Sequence, residues 1–513
     1  MRTIKQISIY TAVLLLMVTA GCRKYLDVNN DPNVARDITP PLLLSSGQIN
    51  LASALGVDLN INGSIWAQYW TQSPTASQYK TYEQYLPTAS DYDREWGLLY
   101  NGALADFDKM ETIAGEQGQK QYIAIAKLMK AYTFQVITDA WGDIPFSQAL
   151  SGDPDNGAIL APTYDNQSIV YDGIINMINE ALTLIDASDP LHPGNDDLIF
   201  GGNMDLWERF ANTLKLKVYL RLSQVNPGKA QAGIASMGAA SFLGNGENAQ
   251  VNFISTAGNQ NPLYSEIVGL NFTQNLVASA TSVDSMRSNE DWRRYIVYTI
   301  PGADVVGLRQ GNYNASSTTT LSFPSAITGA QARNTASAEA PVKLMTGYES
   351  LFLQAEAAAR GWMANDDETL FYEAIAASFE EYAAEIADLG IIVSDSPEIV
   401  LSASLAYQYY TAGDSALGIA PAYWGVYPTG GAIQQKVRHI VTQKWFAMNG
   451  TQGFEAWTEW RRTGYPDFFV YSVTSIIGQM FPGSFLYPNT ELTRNANFPG
   501  QKQVTTKVWW DAN

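Results

Sequence analysis

The sequence predicts a mostly α-helical protein in which TPR-like helix pairs form a right-handed scaffold with long irregular loops and few short strands. Apolar residues recur at a spacing of three to four through most of the chain, and strict strand alternation is scarce. Segments rich in Gly, Ser, Thr, Asn and Pro separate the helical stretches. Since no sequence repeat of about 34 residues is visible, we expect the helix pairs to be recognisable only in the structure.

The helices are predicted in chain order from their buried faces. The first covers residues 38–55 and opens on Pro40-Pro41, because proline suits the first helical turn. In residues 122–140 the apolar positions Ile125, Met129, Tyr132 and Val136 form one face. The same reasoning predicts helices in residues 174–185, 205–224, 350–360, 368–389 and 437–448.

Short strands are predicted near residues 250–254 and 295–300. The long polar segments, which are usually functional or mobile in compact proteins, are residues 151–162, 191–202, 302–340 and 411–431. Four aromatic residues fall at core spacing on predicted helices, and we expect them to be buried: Tyr132, Phe210, Phe352 and Trp445.

The amino terminus has the pattern of a bacterial export signal. Arg2 and Lys5 precede a short apolar stretch that is too short for a comfortable membrane span. Ala20-Gly21-Cys22 resembles the lipobox of bacterial lipoproteins, in which the signal is cleaved and the cysteine is acylated. We therefore predict a signal peptide over residues 1–21, a lipidated tether over 22–40 with Cys22 as the lipid attachment point, and a single α-helical domain over 41–513.

Composition excludes several classes of function. The 513 residues include 50 Asp and Glu against 31 Lys and Arg, and this net charge of −19 argues against nucleic acid as a partner. One Cys and two His rule out a disulfide framework or a thiolate-rich metal site. No nucleophile, zinc or nucleotide motif is present. We predict no catalysis, no cofactor and no metal.

Two alternatives to these predicted absences stay open. Residues 27–33 begin like a calcium loop but lack its Gly and its bidentate Glu, whereas a hard cation in the oxygen-rich loop at residues 153–157 is conceivable. A glycoside hydrolase needs two nearby carboxylates, and the number of Asp and Glu does not exclude such a pair.

Aromatic residues make up 12% of the chain, and a subset lies in polar loop-like surroundings. Planar rings can stack on the C–H faces of sugars while polar neighbours bond the hydroxyls. The acidic balance favours a neutral oligosaccharide unless local bases override it. The candidate ligand-binding residues are Trp66, Tyr69, Trp70, Tyr79, Tyr82, Trp292, Arg293, Tyr313, Trp424 and Tyr427.

A series of motifs carries a family resemblance. In order, these are residues 25–33 (YLDVNNDPN), 131–145 (AYTFQVITDAWGDIP), 207–217 (WERFANTLKLK), 349–362 (ESLFLQAEAAARGW), 443–445 (QKW), 455–457 (EAW) and 461–466 (RRTGYP). Together they resemble the SusD/RagB nutrient-binding lipoproteins of the Gram-negative outer membrane, specifically the SusD-like subgroup.

The resemblance implies a mostly helical fold with TPR-like helix pairs and no catalytic activity. It also implies a lipid-anchored protein on the outer membrane, facing the cell exterior, that lies as a lid over a SusC-type TonB-dependent porin. There the protein would capture oligosaccharides, or peptides as in some members, and deliver them to the transporter. None of the motifs that this chain shares with the family identifies a ligand-binding residue.

Overall fold

The helical prediction can be compared with a computed structural model, which describes residues 38–152, 157–316, 320–391 and 403–513. Helices dominate these residues and the strands are short, so the predicted fold class is confirmed. The chain's internal contacts group Pro40–Asn513 into one compact unit. Cys22, the predicted signal peptide, both oxygen-rich loops except Gly157, and nearly all of the tether lie outside the described residues.

The α-helices follow one another along most of the chain and contain every predicted helical segment in whole or large part. Within the described residues they are α1 (Pro40–Gly56), α2 (Asp58–Trp66), α3 (Lys80–Glu83), α4 (Asp93–Gly97), α5 (Ala105–Gln117), α6 (Lys120–Trp141), α7 (Gln167–Leu184), α8 (Met204–Arg221), α9 (Pro227–Ser236), α10 (Pro262–Gly269), α11 (Ala280–Ser288), α12 (Arg294–Val297), α13 (Gly347–Ala359), α14 (Asp367–Asp388), α15 (Ala403–Ala412), α16 (Ile433–Ala447), α17 (Gly453–Thr463) and α18 (Asn489–Arg494). A π-helical segment, Leu98–Leu104, joins α4 to α5.

Neighbouring helices pack in pairs around a continuous apolar core. Helix α6 packs against both α5 and α7, and α13 packs against α14. The predicted face of α6 is buried, with Ile125 and Met129 fully inaccessible to solvent. The four aromatic residues predicted to lie in the core are all buried, which confirms that prediction: Tyr132, Phe210, Phe352 and Trp445.

The strands form three two-stranded antiparallel pairs, which are β1 (Trp70–Gln72) with β5 (Leu276–Ala278), β2 (Ile144–Pro145) with β3 (Tyr164–Asp165), and β4 (Ala249–Val251) with β6 (Val342–Met345). The strand predicted near residues 250–254 corresponds to β4. The strand predicted at 295–300 is wrong, because α12 occupies its first half, and in its second half only Tyr298 forms an isolated β-bridge, with Pro324. Asp291 accepts a hydrogen bond from the amide of Arg293, and the amides of Ile296 and Val297 donate to the Arg293 carbonyl. Local helical bonds thus use the amides that a strand would need.

A network of buried ion pairs joins the central helices. Lys217 of α8 lies 2.9 Å from Glu455 of α17 and 3.1 Å from Glu349 of α13. One turn further along α8, Arg221 donates two hydrogen bonds to Glu455 and pairs with Glu459. These groups are almost inaccessible to solvent, so each charge depends on its partners for stabilisation.

The second half of the network centres on Arg462 of α17, whose guanidinium group binds two carboxylates. It contacts Glu356 of α13 at 2.6 Å and Glu459 at 2.7 Å. Burial alone would raise the pKa of Glu356, but Arg462 and Arg360 outweigh it and lower this pKa to about 2. The carboxylate is therefore ionised throughout the physiological range, and the network holds its charges in fixed positions.

Removing one partner of this network should destabilise the whole helical frame. We expect Arg462→Met to lower the free energy of unfolding by about 3 to 5 kcal/mol, because Glu356 and Glu459 would stay buried without their shared guanidinium group. Chemical denaturation followed by circular dichroism measures this loss. The matched control is Lys229→Met, which removes a largely exposed pair with Asp172 and should cost at most about 1 kcal/mol. Equal losses in the two variants would contradict the assigned role of the network.

Candidate functional site

The ten predicted ligand-binding residues do not form the exposed aromatic surface that their polar neighbours suggested. Trp292 is half-buried and makes ring contacts with Tyr295 and Tyr409. The other nine are buried: Trp66, Tyr69, Trp70, Tyr79, Tyr82, Arg293, Tyr313, Trp424 and Tyr427. That these residues contact a ligand stays a prediction. The exposure expected of them is wrong for nine of the ten, because those nine are buried.

The segment from Trp66 to Tyr82 shows the physical reason. Part of the polar sequence around its rings is itself buried, because it bonds to other parts of the chain, whereas Ser77, Gln78 and Thr81 are exposed. Glu83 is fully buried and accepts hydrogen bonds from the Gln72 amide and the Gln310 side chain. Tyr69 donates its hydroxyl proton to the carbonyl of Trp445, 2.5 Å away. The polar residues between Gln68 and Ser73 therefore lie in the interior.

Other predicted ligand-binding residues also form contacts within the protein. Arg293 binds Asp291 through its Nε and Nη2 atoms and lies over the ring of Phe379. Tyr427 donates its hydroxyl proton to Asp367 at 2.6 Å. Because these polar groups are already bonded within the protein, their observed contacts stabilise the fold.

An open cavity of about 470 Å³ lies elsewhere, beside α4 and the π-helical segment, and we call it the Trp96 cavity. Trp96 and Tyr100 stand four residues apart along this helical stretch and form part of its wall, with ring centroids 4.7 Å apart. The Tyr100 hydroxyl donates to the carbonyl of Pro145, which fixes the ring. The volume of the Trp96 cavity falls within the range of small-molecule pockets.

Polar side chains line the Trp96 cavity from three segments of the chain. Asp93 accepts a hydrogen bond from the Thr490 amide at 2.8 Å, which ties α4 to the start of α18. Glu491 accepts from the Tyr164 hydroxyl, also at 2.8 Å. Asn101 and Arg494 also line the cavity and are exposed, so their donors are available to a ligand. The cavity combines an aromatic wall with hydroxyl-binding groups.

None of the residues that line this cavity is among the ligand-binding residues predicted from the sequence. Trp96 and Tyr100 are separated by one helical turn within DREWGLLYNGALA, and Asp93 and Asn101 flank them. That spacing was an available signal, because residues four apart share a helix face. No local pattern indicates that Thr490, Glu491 and Arg494 line the same cavity, because they lie nearly 400 positions after Trp96 in the chain.

A buried carboxyl pair lies next to this region. Glu95 is inaccessible to solvent and interacts with Asp58 at the start of α2. Burial and the charge of Asp58 raise the pKa of Glu95 from its ordinary 4.5 to about 9. Neither oxygen of Glu95 accepts a hydrogen bond from another described residue, which suits a protonated carboxyl that donates to Asp58. Neither residue lines the Trp96 cavity.

In the described part of the chain, no group of three or more His, Cys, Asp or Glu side chains has the geometry to hold a metal ion. Across the same residues, none of the helices has both the length and the apolar character needed to cross a bilayer.

Comparisons with known proteins show the family to which the chain belongs. A family described as starch-binding and associating with the outer membrane matches residues 32–488. This is the class of nutrient-binding, outer-membrane-associated proteins. The chain belongs to the SusD/RagB family, whose solved members share its helical, TPR-containing fold. No curated protein matches it.

Three solved structures illustrate the likeness. A SusD/RagB family protein from Bacteroides thetaiotaomicron is 20% identical, with a TM-score of 0.74 over 93% of this chain and 100% of that one. A chitin-binding protein is 22% identical, with a TM-score of 0.70 over 93% of this chain and 100% of that one. A chitin-binding SusD homologue from Flavobacterium johnsoniae is 20% identical, with a TM-score of 0.70 over 92% and 99%. At these identities the likeness shows the fold alone.

The carboxyl pair predicts a pH-dependent stability. The folded protein keeps the proton of Glu95 up to about pH 9, whereas the unfolded chain releases it near pH 4.5, so this group makes unfolding more favourable as the pH rises between those values. We expect Glu95→Gln to lose less stability than the wild type between pH 5 and pH 8, as measured by urea denaturation. The control is Glu116→Gln at an exposed site on α5, which should follow the wild type. An unchanged pH dependence in Glu95→Gln would contradict the protonated state.

Proposed function

We propose that the protein is a non-catalytic nutrient-binding lipoprotein that captures oligosaccharides at the cell exterior and delivers them to a SusC-type TonB-dependent porin in the outer membrane. Residues 1–21 would be the signal peptide, 22–40 the tether anchored through Cys22, and 41–513 the binding domain. The observation that carries the proposal is the Trp96 cavity, an aromatic-walled site in a member of a family described as starch-binding. The names of two solved relatives, both chitin-binding, support a glycan as ligand.

The Trp96 cavity has the chemistry to hold a sugar ring. Tyr100, which is half-buried, supplies apolar surface against which the C–H groups of a pyranose can pack, and the buried ring of Trp96 supports it from behind. Asn101 and Gln148 can both donate to and accept from hydroxyl groups, whereas Asp93 accepts and Arg494 donates. Neutral hydroxyls need no charge compensation, so this mixed lining suits a neutral oligosaccharide.

A modest affinity is sufficient for this function. A binding protein that closes over a transporter confines its ligand in a small volume, and the effective concentration there exceeds that of the free ligand. The lipid anchor would keep the protein at the membrane independently of its net charge of −19.

Variants in the Trp96 cavity test the ligand. We expect Asn101→Ala and Arg494→Ala each to weaken oligosaccharide binding by about 3- to 10-fold, because each removes one or more hydrogen bonds while leaving the exposed surface folded. Isothermal titration calorimetry with starch and chitin oligosaccharides measures the change. The control is Asn314→Ala, which is exposed and does not line the cavity. Binding of peptides and of no glycan by the wild type would refute the ligand class.

The same oligosaccharides test the absence of catalysis. Asp93 and Glu491 both line the Trp96 cavity, so a carboxylate-pair hydrolase would have its groups there. We expect the purified protein to release no shorter products on chromatographic analysis. Product release by the wild type that Glu491→Gln abolishes would overturn the proposal in favour of a glycoside hydrolase.

The lipid anchor has its own test. We expect Cys22→Ser to lose incorporation of labelled palmitate and to leave the outer-membrane fraction, because Cys22 is the chain's only cysteine. Protease treatment of intact cells then reports which side the anchored wild type faces. Retention of label and of membrane association in the variant would contradict attachment at Cys22.

A further inference from the structure

A second cavity, of about 400 Å³, lies where the end of α6, the start of α7 and the carboxyl-terminal residues 482–513 meet. We call these terminal residues the tail and this space the Lys502 cavity. The residues around it are Trp141, Asp143, Asn166, Gln167, Ser168, Tyr487, Lys502, Thr506, Lys507 and Trp509, together with Gly142 and Val508. It shares no lining residue with the Trp96 cavity.

The tail is held in place here by hydrogen bonds to both helices. The Trp509 amide donates to the side-chain oxygen of Gln167 at 2.7 Å, and the Gln167 side chain in turn donates to the Thr138 carbonyl. The Tyr487 hydroxyl donates to the Asp143 carbonyl at 2.7 Å. The cavity is therefore built from fixed walls.

Lys502 contributes an amine that has no ion-pair partner among the described residues. Its amine donates to the Trp141 carbonyl and lies 4.5 Å from the centre of the Tyr487 ring. Within the described part of the chain, no carboxylate forms an ion pair with it. Asp143 is the nearby acid, but its Oδ1 atom already accepts a hydrogen bond from the Gln167 amide at 2.8 Å.

The absence of an ion-pair partner has an electrostatic consequence. Burial of the amine, with a contribution from Arg461, lowers the pKa of Lys502 to about 7. An anion in the cavity would favour the ammonium form, because an opposite charge nearby stabilises the charged state. A second amine, that of Lys507, lines the same cavity and is about half exposed, 3.9 Å from Asp511.

An aromatic face and polar groups complete the lining. Trp509 is 39% exposed, so part of its ring is open to a ligand, and it makes an edge contact with Tyr171 at 6.2 Å. Asn166, Ser168 and Thr506 supply neutral donors and acceptors. A sugar ring could pack on Trp509 while a carboxylate on that sugar reaches the two amines.

We propose that the Lys502 cavity is a binding site for an acidic sugar, namely a uronic acid residue whose carboxylate pairs with Lys502 and Lys507 while its ring packs on Trp509. A neutral sugar would leave the Lys502 amine without a counter-charge, and a carboxylate without a ring would leave Trp509 uncovered. The site does not depend on the neutral-glycan site, since different residues form the two cavities.

The experiment titrates the mature protein with methyl β-glucuronide, methyl β-glucoside and acetate, using chemical-shift changes or calorimetry. We expect the glucuronide to bind at least 10-fold more tightly than either of the other two. Lys502→Met should weaken glucuronide binding at least 10-fold, and Lys507→Met about 3-fold. The control Lys109→Met, at an exposed position on α5, should leave binding unchanged.

Three outcomes would overturn this site. The glucoside could bind as tightly as the glucuronide, acetate could bind as tightly as the glucuronide, or Lys502→Met could bind like the wild type. If Lys502→Met fails to fold, Trp509→Ala takes its place, because that ring is partly exposed. It should weaken glucuronide binding at least 3-fold, and undiminished binding would likewise overturn the proposal. Neutral oligosaccharide binding at the Trp96 cavity is measured separately, so failure of one site leaves the other standing.

Discussion

The buried ion network of α8, α13 and α17 is the constraint on which the rest of the structure depends. Lys217, Arg221 and Arg462 lie among four glutamates in the interior, where any charge without its partners would be costly. Hydrophobic packing tolerates small displacements, but these hydrogen bonds require each helix to lie at a defined depth and rotation. The observed positions of α8, α13 and α17 are those in which these buried charges stay paired.

The network also shows which parts of the fold the sequence could predict. Helix α6 was recognised because its buried face is apolar at regular spacing, and Ile125 and Met129 are fully buried. Helix α17 separates apolar from polar residues along its sequence, but its polar residues Glu455, Glu459 and Arg462 are buried as well. In a sequence such residues suggest solvent, and only their partners on α8 and α13, more than 90 positions away, make burial possible.

The site was harder to predict for the same reason. Trp66, Tyr69 and Tyr79 have polar neighbours, a pattern that is typical of a surface loop. In the structure Gln72 and Glu83 bond to each other, and Glu83 also bonds to Gln310, so the polar groups are satisfied inside the protein. Whether a polar residue faces water or a buried partner is decided by contacts across the chain, which local composition does not contain. That Trp96 and Tyr100 share one helix face could have been predicted, because they are four positions apart in the sequence.

Contacts between the buried ion network and the tail connect the network to both cavities. Arg461, next to Arg462 on α17, donates to the Gly483 carbonyl and packs on the ring of Trp510. Trp510 donates to Asp139, which lies 3.3 Å from Arg221. The tail fixed in this way contributes α18 to the Trp96 cavity and Trp509 to the Lys502 cavity. The buried charges of the central helices are thus connected by direct contacts to the segment of chain that lines both cavities.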